Sequence, residues 1–310
     1  MEKLKKRIGI IGLGDIAKKA YLPVLASHPH IELAAIAART KTTVQEIGER
    51  YRVDKRFTNI DDMLQSSIDA VFVHTPTETH EDVVLRCLER GLHVYVDKPL
   101  SYDIEASARM IEAANRADRL LAVGFNRRFA PLYMEAKRWM EDAGGFDLLI
   151  AEKHRTRKQA LIMKETYYDD LIHIIDLLLW MGASSYEVTS MLHEQDEGGR
   201  LVHATGTLQF DRRLGMFSMN RQAGKDMERV ELHGGGRSFE VRNLEQGTAS
   251  DRESGEQTLS FGSWDSISKR RGFEGIIDHF IQSLDAPDEC LITGERVWET
   301  HALIERLTKL

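Results

Sequence analysis

Apolar positions follow two rhythms along this chain. In the first part, short continuous apolar runs alternate with stretches whose apolar residues recur at helical spacing. Ile8–Leu13, Ile31–Ala38, Asp69–His74, His93–Val96 and Leu120–Gly124 read as strands. Between them Ile16–Leu25, Thr42–Tyr51, Asp61–Ser66, Glu78–Arg90 and Ser101–Ala117 read as helices, with Gly91 placed as the C′ residue of the fourth. Strands that are apolar on both faces and separated by helices predict a doubly wound parallel sheet. After Gly124 the rhythm changes. A helix over Pro131–Asp142, a strand over Phe146–His154 and a very apolar helix over Asp169–Met181 come first. Strand-like runs follow at Tyr186–His193, Leu201–Phe210, Leu214–Asn220, Arg229–His233 and Ser238–Val241. Gly234–Gly235–Gly236 and the polar stretch Gln246–Gln257 read as turn and loop, and Gly272–Leu284 and Arg296–Leu310 as closing helices. Consecutive strands with short turns predict an α+β domain with a mostly antiparallel open sheet and helices on one face. The expected domains are 1–123 and 124–310, joined without a flexible linker.

Composition narrows the class. The 310 residues are 42% hydrophobic and 29% charged, as in an ordinary globular protein. Up to Val123 there are 18 basic and 18 acidic residues, so the net charge of −7 falls entirely in the remainder. That distribution argues against a nucleic-acid or acidic-membrane surface. No apolar run approaches the roughly 18 residues that span a bilayer. The basic start is followed by an apolar stretch that ends at Gly12 to Asp15, too short for a secretory core, so a cytoplasmic location is expected. Cys87 and Cys290 lack CxxC spacing, which excludes a disulfide framework and a structural zinc site.

Three places carry candidate chemistry. Gly12-Leu-Gly14-Asp15-Ile16-Ala17 follows a strand and opens a helix. In that setting the first glycine makes the tight turn, the second lets backbone N–H groups approach a pyrophosphate, and the small third residue permits close packing. A tight turn without a ligand is the plainer alternative. Readers of NAD place an acid on the ribose about 20 residues further on. Glu32 has that spacing but starts its strand, whereas the strand ends in Ala38-Arg39-Thr40-Lys41, with two cations and no carboxylate. Positive charge there suits a 2′-phosphate, so the joint loss of acid and gain of base predicts NADP over NAD, against the plainer alternative of Arg39 as a solvated loop charge. Further along, Val73-His74-Thr75-Pro76 and Val96-Asp97-Lys98-Pro99 end strands at the edge where such folds bind ligands, and the Lys98–Pro99 bond is a candidate cis peptide. From its four residues alone, Lys98 is no more than a surface lysine in a turn, and His80 a helix-terminus or packing residue. The third place is Asp169, His173 and Asp176, whose spacing puts them on one helix face among Leu and Ile residues. Buried polar groups there need partners, so a helix cap and a satisfied core histidine are the alternatives to a catalytic set.

Taken together, these segments resemble the Gfo/Idh/MocA (glucose–fructose oxidoreductase, inositol dehydrogenase) family over essentially the whole chain. The resemblance rests on Gly12-x-Gly14-x-x-Ala17, His74-Thr75-Pro76 with His80, and Asp97-Lys98-Pro99, where the family usually has Glu-Lys-Pro. It continues through Gly124-Phe-Asn-Arg-Arg-Phe129-Ala-Pro131 and Asp169-x-x-x-His173-x-x-Asp176, and is closest to the MviM-like branch. It implies a Rossmann domain followed by a substrate and oligomerisation domain, and an NAD(P)-dependent dehydrogenase or reductase acting on a sugar, polyol or related hydroxy compound. The implied catalytic set is Lys98, Asp169 and His173. The expected cofactor contacts are Gly12, Gly14, Asp15 and Ile16, Ala38 to Lys41, His74, Thr75, Pro76, His80, Asp97 and Lys98. A polar substrate pocket is placed, by position, at Asn126, Arg127, Lys153, Tyr167 and Tyr168, with Asp169 and His173. In this reading His173 is the general acid/base, Asp169 orients it, and Lys98 stabilises a developing alkoxide. The expected partners are a small-molecule substrate and further copies of the chain, as a homodimer or homotetramer, with no metal. A non-catalytic sensor of a dinucleotide or metabolite is the rival reading.

Overall fold

The computed structural model describes residues 5–182 and 185–310. The chain forms two compact units, one comprising residues up to Gly124 together with Phe273–Trp298, the other Phe125–Gly272 with Glu299–Leu310.

In the first unit six strands, β1 (Lys6–Ile11), β2 (Ile31–Ala37), β3 (Lys55–Phe57), β4 (Ala70–Val73), β5 (His93–Val96) and β6 (Leu121–Val123), lie in the order β3-β2-β1-β4-β5-β6. Every pairing is parallel. Ile8, Ile10, Ile36, Phe72, Val94 and Val96 are fully buried, as strands covered on both faces require. The strand order reverses between β1 and β4, and the turns leaving these two strands carry Gly12 and His74. Strand β3 is absent from the sequence reading. Its Lys-Arg-Phe has no apolar run, and the strand exists because its backbone pairs with β2 at the sheet edge.

A division at residue 123 assigns Phe273–Trp298 to the second domain, but in the structure this segment packs with the first unit. Helix Phe273–Ser283 buries Ile276, Ile277 and Phe280, and the Phe280 ring lies 5.1 Å from Phe72 and 5.5 Å from Tyr95. Beyond it, Val123 N–H donates to the Ile292 carbonyl and Gly294 N–H to that of Leu121, each at 2.9 Å, which closes the β6 edge. An amphipathic helix pattern predicts a buried face but does not say which sheet will bury it.

The second unit is built on an eight-stranded sheet. Its strands are β7 (Leu148–His154), β8 (Glu187–Gln195), β9 (Leu201–Phe210), β10 (Arg213–Asn220), β11 (Met227–Gly234), β12 (Arg237–Arg242), β13 (Gln246–Asp251) and β14 (Gly255–Ser260). They run β14-β13-β12-β11-β7-β10-β9-β8, antiparallel except for the parallel pair β7–β10. Helices Pro131–Glu141 and Ile172–Gly182 pack on the sheet, against β11–β12 and β7–β10 respectively. The stretch 246–257, expected as a loop, is instead a hairpin. Gly247 and Ala249 face inward while their neighbours stay polar, and the turn is made by Asp251, whose Oδ1 accepts from the N–H groups of Glu253 (2.8 Å) and Ser254 (3.1 Å). Backbone pairing to β12 stabilises these strands without an apolar run, and hydrophobic patterning therefore misses them.

The apolar helix starts earlier and less regularly than its pattern suggests. A short helical segment, Met163–Thr166, runs into a π-helical turn, Tyr167–Leu171, before regular helix begins at Ile172. Asp176 is fully buried and accepts from Arg128 Nε at 2.9 Å and Nη2 at 2.6 Å, and from Thr300 Oγ1 at 2.9 Å. This carboxylate therefore joins three separate segments of the second unit.

Candidate functional site

In the first unit the glycine turn has the geometry its sequence asks for. Gly12 adopts φ +93°, and a Cβ there would lie 2.5 Å from the His74 carbonyl and 2.7 Å from the Thr75 nitrogen. Only glycine fits. At Gly14 a Cβ would meet nothing within 4 Å among the described residues, so the backbone is open on that side. The chain then turns into the helical segments Ala17–Tyr21 and Leu22–Ser27, with Asp15 paired to Lys19 at 2.8 Å and Ile16 exposed. At the end of β2, Ala38 is half-buried and Arg39, Thr40 and Lys41 are exposed. Glu32 stands at the opposite end of that strand, where it accepts from Arg7 at 2.6 Å.

The turns after β4 and β5 are tied to each other. The His80 ring lies with Nδ1 2.9 Å from the Pro99 carbonyl and 3.2 Å from that of Leu100, and with Nε2 3.0 Å from that of Thr75. Burial pushes the His80 pKa down against the pull of Asp97 and these carbonyls. The Lys98–Pro99 bond is cis. Asp97 Oδ1 accepts from the Lys98 N–H at 2.9 Å. Burial raises the Asp97 carboxyl, but His74, Lys98 and His80 outweigh it and hold the pKa below its usual value. His74 is buried with its ring 4.0 Å from that of Tyr21, and Nδ1 is 3.9 Å from Asp97, beyond hydrogen-bond reach. Among the described residues neither His74 nitrogen has a hydrogen-bond partner.

In the second unit the polar residues form a network. Arg127 and Arg128 lie in the turn Asn126–Phe129, and Asn126 Nδ2 donates to the Arg271 carbonyl at 2.7 Å. Arg127 donates through Nε and Nη2 to the two oxygens of Glu228, at 2.6 and 2.8 Å, and its Nη1 lies 2.7 Å from His173 Nδ1. Tyr133 Oη donates to the same glutamate at 3.2 Å. Burial raises the Glu228 carboxyl, yet Arg127, with Lys153 and Arg155, pulls it down to about 2. Lys153 is buried and paired with Asp170, which also accepts from Arg221. Burial pushes the Lys153 ammonium down to about 7, with Arg127 adding to the effect against Asp170. Asp169 sits in the π-helical turn and accepts from Gln159 Nε2. Tyr168 is buried and donates to Glu305 at 2.9 Å. Tyr167 Oη, Thr166 Oγ1, Gln159 Oε1 and Arg221 Nε are buried with no hydrogen-bond partner among the described residues.

Arg127, Lys153 and His173, singled out in the sequence, therefore belong to one network with Glu228, Asp170 and Arg221, which the sequence did not reveal. Asp170 lies beside Asp169 and reads as its redundant neighbour. Glu228 and Arg221 lie at strand ends, where a charged residue carries no signal of burial. No group of three or more potential metal-binding residues is found among the described residues, and none of their helices is long and apolar enough to cross a membrane.

Comparison with known proteins agrees with this architecture. Residues 6–125 match the oxidoreductase family with an NAD-binding Rossmann fold, Gfo/Idh/MocA, and residues 131–252 match the YceM-like C-terminal domain. YceM of Salmonella typhimurium is 33% identical over 304 residues, covering 97% of this chain and 96% of that protein. The scyllo-inositol 2-dehydrogenase (NAD+) of Bacillus subtilis is 30% identical over 193 residues, covering 60% of this chain and 56% of its own length. The crystal structure of the dehydrogenase MviM from Clostridium difficile superposes with a TM-score of 0.92 at 30% identity, covering 98% of this chain and 99% of that one. With the reversed strand order, the glycine turn and full-length similarity in hand, the chain belongs to the Gfo/Idh/MocA family and is an oxidoreductase with an NAD-binding Rossmann fold.

Proposed function

We propose that this oxidoreductase transfers a hydride between NADP and a CH–OH carbon of a sugar, polyol or related hydroxy compound. The turn geometry fits a dinucleotide: Gly12 is sterically obliged to be glycine, and Gly14 leaves open the space that a phosphate needs beside a helix start. NADP is preferred because the end of β2 offers exposed Arg39 and Lys41, while the one acid at suitable spacing, Glu32, is paired with Arg7 at the far end. When bound, the nicotinamide supplies the hydride chemistry. The chain's own residues hold the substrate and handle the hydroxyl proton. Lys98 is proposed to donate to the reacting oxygen, and Asp169 and His173 to serve proton handling.

A hydroxyl-rich substrate is supported by the charged network of Arg127, Glu228, Lys153 and Asp170, which gathers donors and acceptors within one unit. The similarity to a scyllo-inositol dehydrogenase favours a polyol as well, although that enzyme's name carries NAD. Exposed Leu192, Leu214 and Met216 on the second sheet support a homodimer or homotetramer, and the reading places it in the cytoplasm. The test is reduced-nicotinamide absorbance across a sugar and polyol panel with each cofactor. Turnover is expected, faster with NADP. Tight cofactor binding without turnover, together with unchanged affinity in His173→Ala, would establish the sensor reading instead.

A further inference from the structure

At its Nδ1, His173 meets a neighbour that can only donate. Arginine has five N–H donors and no acceptor, so the 2.7 Å contact between Arg127 Nη1 and His173 Nδ1 is possible only if Nδ1 carries a lone pair. A neutral imidazole that accepts at Nδ1 holds its proton at Nε2. We infer that Glu228 and Arg127 act as a positioning relay that fixes His173 as the neutral Nε2–H tautomer, so that it presents a hydrogen-bond donor rather than a proton acceptor.

The relay is rigid at each link. Glu228 takes both Nε and Nη2 of Arg127 in a fork-to-fork pair. Its backbone is fixed in turn by Asn243, which exchanges two hydrogen bonds with it at 2.9 and 2.7 Å. The turn that carries Arg127 is pinned on both sides, by Asn126 to Arg271 and by Arg128 to Asp176. Among the described residues, Lys153 and Arg155 act electrostatically on Glu228 and Asp170 on Arg127, with Arg155 3.9 Å from Glu228. Since Glu228 is ionised and both its oxygens accept from Arg127, the guanidinium cannot turn away to hold a substrate anion without depriving a buried carboxylate of its closest cation. This inference rests on the proposed dehydrogenase reading only for its consequence. In that reading, the Nε2–H of His173 handles the reacting oxygen as a donor, and the hydroxyl proton passes to the Asp169 carboxylate as the hydride leaves the carbon.

The decisive measurement is the nitrogen-15 spectrum of the full chain with labelled histidine, the His173 signals being assigned by their loss in His173→Gln. Near neutral pH we expect a lone-pair type signal for Nδ1 and a protonated type for Nε2, and both should shift toward mixed tautomers in Arg127→Met and in Glu228→Gln. A protonated Nδ1, an imidazolium, or a spectrum unchanged in both variants would overturn the inference. Because the wild-type spectrum needs no substrate, failure of the proposed enzyme activity and failure of the relay are separate outcomes. Once a substrate is in hand, Arg127→Met should lower kcat by roughly a hundredfold with KM little changed. A raised KM at constant kcat would make Arg127 a substrate contact instead.

Discussion

At the scale of single residues, charge placement makes the sharpest predictions. Arg39 is exposed at the end of β2, and among the described residues no hydrogen bond or ion pair ties it down. If its fork holds the 2′-phosphate, Arg39→Ala should weaken NADP by roughly tenfold or more while leaving NAD nearly unchanged, as for the loss of one charge-assisted contact. Fluorescence titration of the two reduced cofactors checks this, and equal losses would reject the assignment. Lys98 follows Asp97, whose Oδ1 accepts from the Lys98 backbone N–H, so Lys98→Ala removes the ammonium and leaves that main-chain link intact. Turnover should fall by roughly a hundredfold or more, in the range seen when one electrostatic donor is removed, with cofactor affinity close to wild type. Parallel loss of cofactor binding would assign Lys98 to the dinucleotide instead.

At the scale of elements, the unit boundaries follow packing more closely than sequence order. Phe280 is fully buried against Phe72 and Tyr95, although it lies more than 150 residues downstream of the first sheet's last strand. Phe280→Ala should therefore destabilise the first unit by about 3–5 kcal/mol, the usual cost of deleting a buried ring. Chemical unfolding followed by a reporter in the first sheet would measure it; destabilisation confined to the second unit would contradict the packing described here. The glycine turn and the strand–helix alternation were legible because each obeys local chemistry: φ above zero demands glycine, and a doubly covered strand demands a continuous apolar run. The β13–β14 hairpin and β3 were not legible, because polar backbone ladders hold them and apolar periodicity does not mark such strands. The start of the apolar helix was misplaced for a related reason, since a π-helical turn breaks the spacing on which the one-face argument for Asp169 and His173 rests.

At the scale of the whole molecule, the second unit stores buried charge and should respond to acid. The Glu228 carboxyl sits at about 2 in the folded chain against an ordinary 4.5, so the unfolded chain takes up its proton first as pH falls. Its contribution to stability is complete above pH 4.5 and is lost between there and about pH 2. Urea unfolding at a series of pH values should thus show a gap between wild type and Glu228→Gln that is widest near neutrality and narrows across that window. A gap independent of pH would mean that the carboxylate is not held ionised by Arg127.

The sequence by itself determined the doubly wound first sheet, the glycine turn, the mostly antiparallel second sheet and the family, because these depend on periodicity and on residues whose backbone roles few others can fill. The tertiary structure alone decided that Phe273–Trp298 belongs with the first unit, that Asp170 and Glu228 are the anions of the second unit's network, and that His173 meets an arginine at Nδ1. Those outcomes depend on which charged and apolar groups meet across distant segments. Local spacing does not encode such a meeting, and burial then makes each pairing obligatory.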